Sequence, residues 1–293
     1  MRSGFVSLIG RPNVGKSTLL NSIIGYHIAI TSPVSQTTRN IIQGIYNDID
    51  TQIVFIDTPG IHKPQNKLGK ILNKEARELT HDTDVILLLV DGEAGIGKGD
   101  EMIIDSLQGN EVPVILVINK IDKISNEALV ERINEYKDLF SFAEIVPVSA
   151  KINDNISHLI DVIKKYLTDD IKYFDDNTIT SSSKYFMIAE YVREKLLNHL
   201  VEEVPHSITC STTSYDEKDN IINICVDIIV DRDSLKKIVI GKNGSLLKTV
   251  GIEARIDIEK MLGKSVYLEL YVKTIDNWRD KEKYFKELGF ISE

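Results

Sequence analysis

The sequence predicts two folded units in tandem. The first is an α/β domain whose mixed, mostly parallel sheet is covered by helices on both faces; the second is a smaller α+β domain. Three observations carry this. Short apolar runs alternate with helix-length amphipathic segments through the first 168 residues. A polar stretch with no sustained period, TDDIKYFDDNTITSSS, then interrupts them. Beyond it, two runs that alternate apolar and polar residues are separated only by the turn-like DEKDN. The first pattern makes βαβ units and a parallel sheet, and the last makes an antiparallel hairpin.

In the first unit, strands are expected at FVSLI, QIVFID, VILLLV, PVILVIN and EIVPVS. Helices should start near Lys16, Asn66, Gly99 and Ser125, with another over 155–167. In the second unit KYFMIAEYVREKLLNHLVEEV has helical spacing, and HSITCSTTSY and NIINICVDIIV alternate as strands. A short helix, a Gly-Lys loop, a helix ending near Leu262 and the strand VYLELYVK complete an α-β-β-α-α-β order. NWRDKEKYFKELGF reads as a last helix. The expected boundaries are 1–168 for the first domain, 169–183 for a linker, 184–270 for the second domain and 271–293 for a C-terminal helix and tail.

Composition bounds the function. At 293 residues, 42% hydrophobic and 27% charged, the chain is long enough for two cores and ordinary for a soluble protein. The net charge of −9 opposes broad attraction to nucleic acid, so any anion site must be local. VILLLV and PVILVI fall far short of the roughly 20 apolar residues that span a membrane. MRSGFVSLIG lacks a cleavage region and reads as a first strand rather than a leader. Cys210 and Cys225 form no CxxC pair and fit unpaired thiols in a reducing cytoplasm.

GRPNVGKST satisfies G-x-x-x-x-G-K-[ST] from Gly10 to Ser17, between an expected strand and an expected helix. Gly10, Arg11, Pro12, Asn13, Val14, Gly15 and Thr18 frame the loop, whose N–H groups (Pro12 has none) suit a polyphosphate at a helix N-terminus. Lys16 would meet the β- and γ-phosphates, and the Ser17 hydroxyl would ligate Mg²⁺. DTPG supplies Asp57 for Mg²⁺ through water, and the Gly60 amide for the γ-phosphate, with Thr58, Pro59 and Ile61 alongside. NKID (Asn119, Lys120, Ile121, Asp122) closes one strand. There Asp122 can accept from guanine N1 and N2, Asn119 can tie loops together, and the Lys120 stem can lie on the base plane. SAK (Ser149, Ala150, Lys151) follows the last strand, where the Ala150 amide can donate to guanine O6. Both motifs at strand ends of one parallel sheet favour GTP over ATP.

In this order the four motifs resemble those of translation-factor-like small GTPases. The resemblance places the first switch at SPVSQTTRN, where Thr37 or Thr38 completes the Mg²⁺ shell; Thr38 is the preferred choice. Ras-like enzymes follow DxxG with a water-orienting glutamine. Here Ile61 stands in that place and can neither donate nor accept. GTPases with a hydrophobic residue there and an asparagine in the P-loop often use K⁺. Asn13 matches that asparagine, and either holds K⁺ together with switch carbonyls or shapes the loop. Lys16, Thr38, Gly60 and Asn13 are therefore the groups expected to serve hydrolysis. His62 reads as a phosphate or partner contact or as a solvated side chain. The other histidines lack metal-ligand spacing.

The Gly-Lys loop VIGKNGSLLK differs: GKNG is G-x-x-G between two helices, without Walker spacing. That context resembles the type II KH module, whose G-x-x-G loop clamps single-stranded RNA. Gly241 and Gly244 would admit the strand, Lys242 and Asn243 would meet phosphates, and the preceding VI (Val239, Ile240) and following SLL (Ser245, Leu246, Leu247) would supply an apolar groove for bases. Lys236, Lys237, Lys242 and Lys248 fall within thirteen residues that contain no acid. With GRPNVGKST, QTTR, DTPG, NKID, SAK and IGKNG…GIEARIDIE, the chain resembles the Era family of bacterial GTPases over nearly its full length. That resemblance implies a P-loop GTPase domain followed by a KH domain, with Mg²⁺ as cofactor and GTP and GDP as ligands. It also implies binding near the 3′ end of 16S rRNA in 30S ribosomal subunit maturation, by a cytoplasmic monomer with some peripheral membrane association. Two other readings compete: a GTPase acting through protein partners in cell-cycle or membrane-associated control, and a metabolic P-loop kinase, which NKID opposes.

Overall fold

The computed structural model describes residues 1–34, 37–59, 66–72, 74, 82–288 and 290. Gly60, Ile61, His62, His81 and most of the helix expected from Asn66 lie outside the described residues, although 67–72 are helical. The chain divides into two compact units. The first comprises residues 1–29, 38–64 and 70–181; the second comprises 30–37, 65–69 and 182–293.

The first unit is built on a six-stranded sheet of order β2-β3-β1-β4-β5-β6. Its strands are β1 (Arg2–Ile9), β2 (Ile42–Asn47), β3 (Thr51–Asp57), β4 (Val85–Asp91), β5 (Val114–Asn119) and β6 (Glu144–Pro147). All neighbouring pairs are parallel except β2 with β3, which register antiparallel from Ile42↔Asp57 to Asn47↔Gln52. β5 is buried along its whole length, as a parallel strand covered on both faces should be. The helices are α1 (Lys16–Ile24), α2 (Lys98–Ser106), α3 (Asn126–Lys137) and α4 (Ile156–Lys164). Because the parallel strands run the same way, the loops after β1, β3, β5 and β6 emerge at one end of the sheet, where ligands of open α/β folds bind.

Two features of this unit were not legible. β2 is an edge strand whose sequence, IQGIYN, interrupts alternation with Gly44 in its centre. That glycine lies against α1: a Cβ there would come within 2.7 Å of Leu20 and Ile28. The stretch 169–181 follows the edge of β2 as an ordered strap. The Ile45 amide donates to the Ile179 carbonyl at 3.0 Å, and Gln52 holds the Tyr173 and Phe174 backbones with three hydrogen bonds.

The second unit has the order α5 (Lys184–His199), β7 (Ile208–Glu217), β8 (Ile221–Val230), α6 (Asp233–Ile240), α7 (Ser245–Leu262), β9 (Ser265–Thr274) and α8 (Glu282–Glu287). β8 is central, antiparallel to β7 and parallel to β9. Ile222, Ile224, Val226, Ile228 and Val230 all point into one core, the period-2 signature of a half-buried strand. Two helices are shorter than expected. α5 stops at His199 because Leu200 is extended at ψ 147°, well short of Val204. The tail is a single turn over Trp278–Asp280 and then α8, divided by Lys281 at ψ 101°. Trp278 is fully buried, and its indole donates to the Ser207 carbonyl at 3.1 Å. Cys210 and Cys225 are not joined in a disulfide.

Candidate functional site: a phosphate loop and a basic groove

The loop between β1 and α1 turns on Gly15, at φ 103° and ψ 26°. A side chain there would be strained and would drive its Cβ into the Asn119 amide. Asn119 fastens three loops at this point. Its Nδ2 donates to the Val14 carbonyl at 2.9 Å, and its Oδ1 accepts from the Ala150 amide at 3.0 Å. The Ala150 N–H, expected to donate to guanine O6, donates to Asn119 in this structure, and Ala150 lines the cavity beside it.

Around Asn119 opens a cavity of about 200 Å³ lined by Gly15, Thr18, Asn119, Lys120, Asp122, Lys123, Ala150 and Lys151. Ser149 Oγ donates to Asp122 Oδ1 at 2.5 Å and orients that carboxylate. Lys120 is left-handed at φ 65°, and its Nζ reaches the Asn13 carbonyl at 2.8 Å and Asp91 Oδ2 at 2.6 Å. Burial pushes the Asp91 carboxyl up, but Lys120 and two backbone amides outweigh it and hold Asp91 below the usual carboxylate range. Lys123, which the sequence did not single out, joins the lining because a 3-10 turn over Ile121–Lys123 follows NKID directly.

The oxygen cluster beside the loop is drawn from three segments. Ser17 Oγ lies 2.8 Å from Thr38 Oγ1 and donates to Asp57 Oδ2 at 2.7 Å; Thr38 Oγ1 is 3.3 Å from the same oxygen. The Thr37 hydroxyl turns elsewhere, to Ser32 Oγ at 2.8 Å and the Val34 carbonyl at 2.7 Å. Of the two adjacent threonines, Thr38 is thus the one that joins Ser17 and Asp57. Asp57 is fully buried, and its Oδ1 has no hydrogen-bond partner among the described residues. An orphaned, buried carboxylate oxygen beside two hydroxyls is the donor set of a hard divalent cation such as Mg²⁺.

The charges here are poised for such ligands. Lys16 Nζ donates to the Gly10 and Arg11 carbonyls, each at 3.1 Å. Burial pulls its pKa down, against the pull of Asp57. Burial likewise raises the Asp57 pKa, against Lys16, Ser17 and Thr38. Each charge is under-compensated by the protein alone, which is the electrostatic state a polyphosphate and a cation would relieve.

Three predicted nucleotide residues serve the loop from behind. Arg11 directs its guanidinium away, Nε to Asp100 Oδ1 at 2.8 Å and Nη2 to the Gly95 carbonyl at 3.0 Å. Thr58 is buried, and its hydroxyl donates to the Leu8 carbonyl at 2.9 Å. Val14 packs into the core at 2% exposure and offers only its backbone. Asn13 is exposed at φ 64°, Pro12 is half-buried beside it, and Pro59 is the last described residue before Asn66.

The second loop lies between α6 and α7. Gly241, at φ 75° and ψ 173°, would bring a Cβ within 2.9 Å of the Leu246 amide, so the fold itself requires glycine there. Asn243 and Gly244 are left-handed at φ 53° and 77°, and nothing lies within 4 Å of the Gly244 Cβ position. Beside Gly244 runs a groove of about 400 Å³ lined by Gly244, Leu247, Lys248, Gly251, Ile252, Arg255, Tyr267, Leu268 and Leu270. Of the eight residues expected at this interface, Gly244 and Lys248 line the groove. Lys236, Lys237, Ile240, Gly241, Lys242 and Asn243 are not among its lining residues. Leu247, from the SLL run expected to supply an apolar groove, also lines it; Gly251, Ile252 and Arg255 were missed, although with Gly244, Leu247 and Lys248 they repeat at helical spacing along one face of α7. Tyr267 is half exposed on β9 and presents a ring at the groove.

A phosphate loop with a guanine-type base pocket on one unit, and a G-x-x-G groove on the other, define a GTP-binding protein with a KH domain. Known families agree. Residues 5–120 match the family described as 50S ribosome-binding GTPase, and residues 203–279 match the KH domain. Two solved structures align over 100% of this chain and 100% of their own. One is Era in complex with MgGDPNP and nucleotides 1506–1542 of 16S ribosomal RNA, at 39% identity and a TM-score of 0.96. The other is a single-residue variant of Aquifex aeolicus Era bound to GDP·AlF4⁻, at 38% identity and a TM-score of 0.94. The chain belongs to the Era family of GTPases.

Proposed function

We propose that this protein is a GTP-hydrolysing switch that grips 16S rRNA near its 3′ end through the α7–β9 groove and assists maturation of the 30S subunit. The observation that carries the reading is the groove at Gly244. It has open space over a left-handed backbone, an apolar floor, Lys248 and Arg255 for phosphates, and Tyr267 for a base. The relative crystallised with MgGDPNP and a 16S rRNA fragment supports both ligands. On this reading residues 1–168 act as the G domain, 169–183 as the linker, 184–270 as the RNA module and 271–293 as its tail. The protein works in the cytoplasm as a monomer, with peripheral contact at the membrane. No helix among the described residues is long and apolar enough to cross one.

At the nucleotide, Ser17 and Thr38 would hold Mg²⁺ directly and Asp57 through water. That ion, when bound, supplies positive charge at the β- and γ-phosphates. Lys16 adds its own charge, Asp122 selects guanine, and the Gly60 amide reports the γ-phosphate. Ile61 cannot orient a water, so the remaining demand is for charge on the transferring group. Asn13, exposed at the tip of the loop, would hold K⁺ to meet it.

The test is a crosslinking map of bound RNA with a GTP analogue and with GDP. Contacts at the 16S 3′ end that strengthen with the analogue are expected. A footprint that ignores the nucleotide would end the switch, and one outside 16S rRNA would end the substrate assignment.

A further inference from the structure

The groove of the second unit has an outer rim. β9 is an edge strand of the sheet β7-β8-β9, and its Leu268 and Leu270 line the groove. Successive residues of a strand point to opposite faces, so Tyr267, Glu269, Tyr271 and Lys273 share the face turned away from the core. Two of these are aromatic rings left half in water, Tyr267 at 54% exposure and Tyr271 at 51%. Exposed rings on a sheet face are the surface on which RNA-binding sheets stack bases.

The surroundings suit a planar ligand. The register sets Tyr267 beside Asn223, Glu269 beside Cys225 and Tyr271 beside Asp227 on β8. Ser214 and Ser211 of β7 stand opposite Cys225 and Asp227 in turn. Next to the rings the face therefore carries short side chains. Glu269 lies between the rings and accepts both phenols, Tyr267 at 3.3 Å on Oε1 and Tyr271 at 3.2 Å on Oε2. The Cys225 thiol reaches the same Oε2 at 3.4 Å. Asp227, across from Tyr271, is neutralised by Lys273. The remaining lone pairs of Glu269 can accept from base amino groups.

Tyr267 belongs to both surfaces: it lines the groove, and its strand position puts it on the face of Tyr271. Four residues at about 3.3 Å each place the two Cα atoms roughly 13 Å apart along the strand, which spans more than one base. A strand lying in the groove thus meets a continuous path over the rim.

We propose that the outer face of β9 is a second RNA site: a single strand leaving the groove crosses Tyr267 at the rim and stacks a further base on Tyr271. The inference rests on the groove reading above, because the groove delivers the strand to the rim.

The test measures binding of labelled single-stranded RNA to the full chain by fluorescence anisotropy at fixed salt. One probe holds about four nucleotides of the 16S 3′ end, the length that a G-x-x-G loop clamps. Others carry the same core extended at its 5′ or its 3′ end. One of the extensions should tighten binding to the wild type about tenfold, the return expected from a single stacked base. Tyr271→Ala should lose that gain while binding the short probe as the wild type does. Tyr271→Phe keeps the ring without the bond to Glu269, and should retain the gain to within about threefold. An abasic nucleotide at the stacked position should cost the wild type the whole gain and Tyr271→Ala nothing. That dependence separates contact between ring and base from a loss of fold. The salt slope should be the same for both proteins, since a stacked ring releases no counterions.

An extension that adds nothing in the wild type overturns the proposal. So does a gain that survives in Tyr271→Ala, or abasic and alanine losses that simply add. Gly244→Asp tests the groove separately. If it binds the short probe normally, the groove reading has failed. If it loses both probes while Tyr271→Ala keeps the full gain, only the second site has failed.

Discussion

Gly244→Asp separates the groove from the fold. At φ 77° and ψ 11° the backbone is left-handed, which costs a residue with a side chain roughly 1 kcal/mol, and aspartate tolerates it better than most. No atom lies within 4 Å of the added Cβ, so there is no clash to add. The thermal midpoint should fall by about 2–4 °C at most. Against RNA the carboxylate meets phosphate. At about 5 Å the repulsion is roughly 3 kcal/mol at an effective dielectric near 20 and under 1 kcal/mol in bulk water. A half-open groove lies between these limits, which gives about a ten- to hundredfold loss. The assay is fluorescence anisotropy of a labelled 16S 3′-end RNA at fixed salt, since such affinities depend steeply on ionic strength. GTP turnover is followed in parallel and should stay near wild type. Gly241→Ala is the contrast: its Cβ would meet the Leu246 amide at 2.9 Å, so it should lower the midpoint further and lose RNA through the fold. If Gly244→Asp binds RNA within twofold of wild type, the groove is not where the strand lies.

Three further outcomes follow from the nucleotide end. Asp57→Asn should raise the midpoint of the nucleotide-free protein by a few degrees while abolishing magnesium-dependent binding of a GTP analogue. The Asp57 pKa is raised above its ordinary 3.8, so its contribution to stability is present at low pH and lost as pH rises through the shifted value. The stability advantage of the asparagine variant should therefore grow as pH rises from the ordinary 3.8 and level off above the shifted value, read by calorimetry; an advantage that shrinks would refute the sign. Asp122→Asn should move preference from guanine towards xanthine nucleotides, measured by competition, and unaltered GTP selectivity would remove Asp122 from base reading. Turnover in KCl should exceed that in NaCl at equal ionic strength, and equal rates would leave Asn13 a purely structural residue.

Which parts were legible in the sequence follows from how local the cause is. The phosphate loop, NKID and SAK sit where a strand ends and the next element begins, so a short window holds both the motif and its setting. Asn119 could be named as a tie between loops because the strand β5 leads straight into it. Arg11 could not be placed, because its partner Asp100 is 89 residues away on α2. β2 was hidden by Gly44, a residue chosen for close approach to α1 rather than for strand formation. At the second loop the sequence drew attention to the lysines around GKNG. The groove is floored instead by a helical stripe from Gly244 to Arg255 that faces Tyr267 on β9. The stripe is periodic and could have been read, whereas the parallel pairing of β8 with β9 that brings Tyr267 into place is a tertiary fact.

The buried charges give the nucleotide a second consequence. Lys16 and Asp57 are each shifted against their charged forms by burial, so the protein holds this pair of charges at a cost to the fold. A ligand that binds only the folded protein adds stability in proportion to the logarithm of its saturation, about 4 kcal/mol at a thousand times its dissociation constant. Here it would also offset the desolvation of both groups. On the proposed reading the triphosphate with magnesium would compensate both Lys16 and Asp57 and engage Thr38, whereas the diphosphate would leave the Thr38 end unserved. The stability gained with the triphosphate over the diphosphate should therefore appear in the first unit, and it should vanish in Thr38→Ala. Hydrogen exchange along β3 and α1, compared between the two nucleotides, reads that difference, and identical protection in both states would mean that Thr38 does not sense the γ-phosphate.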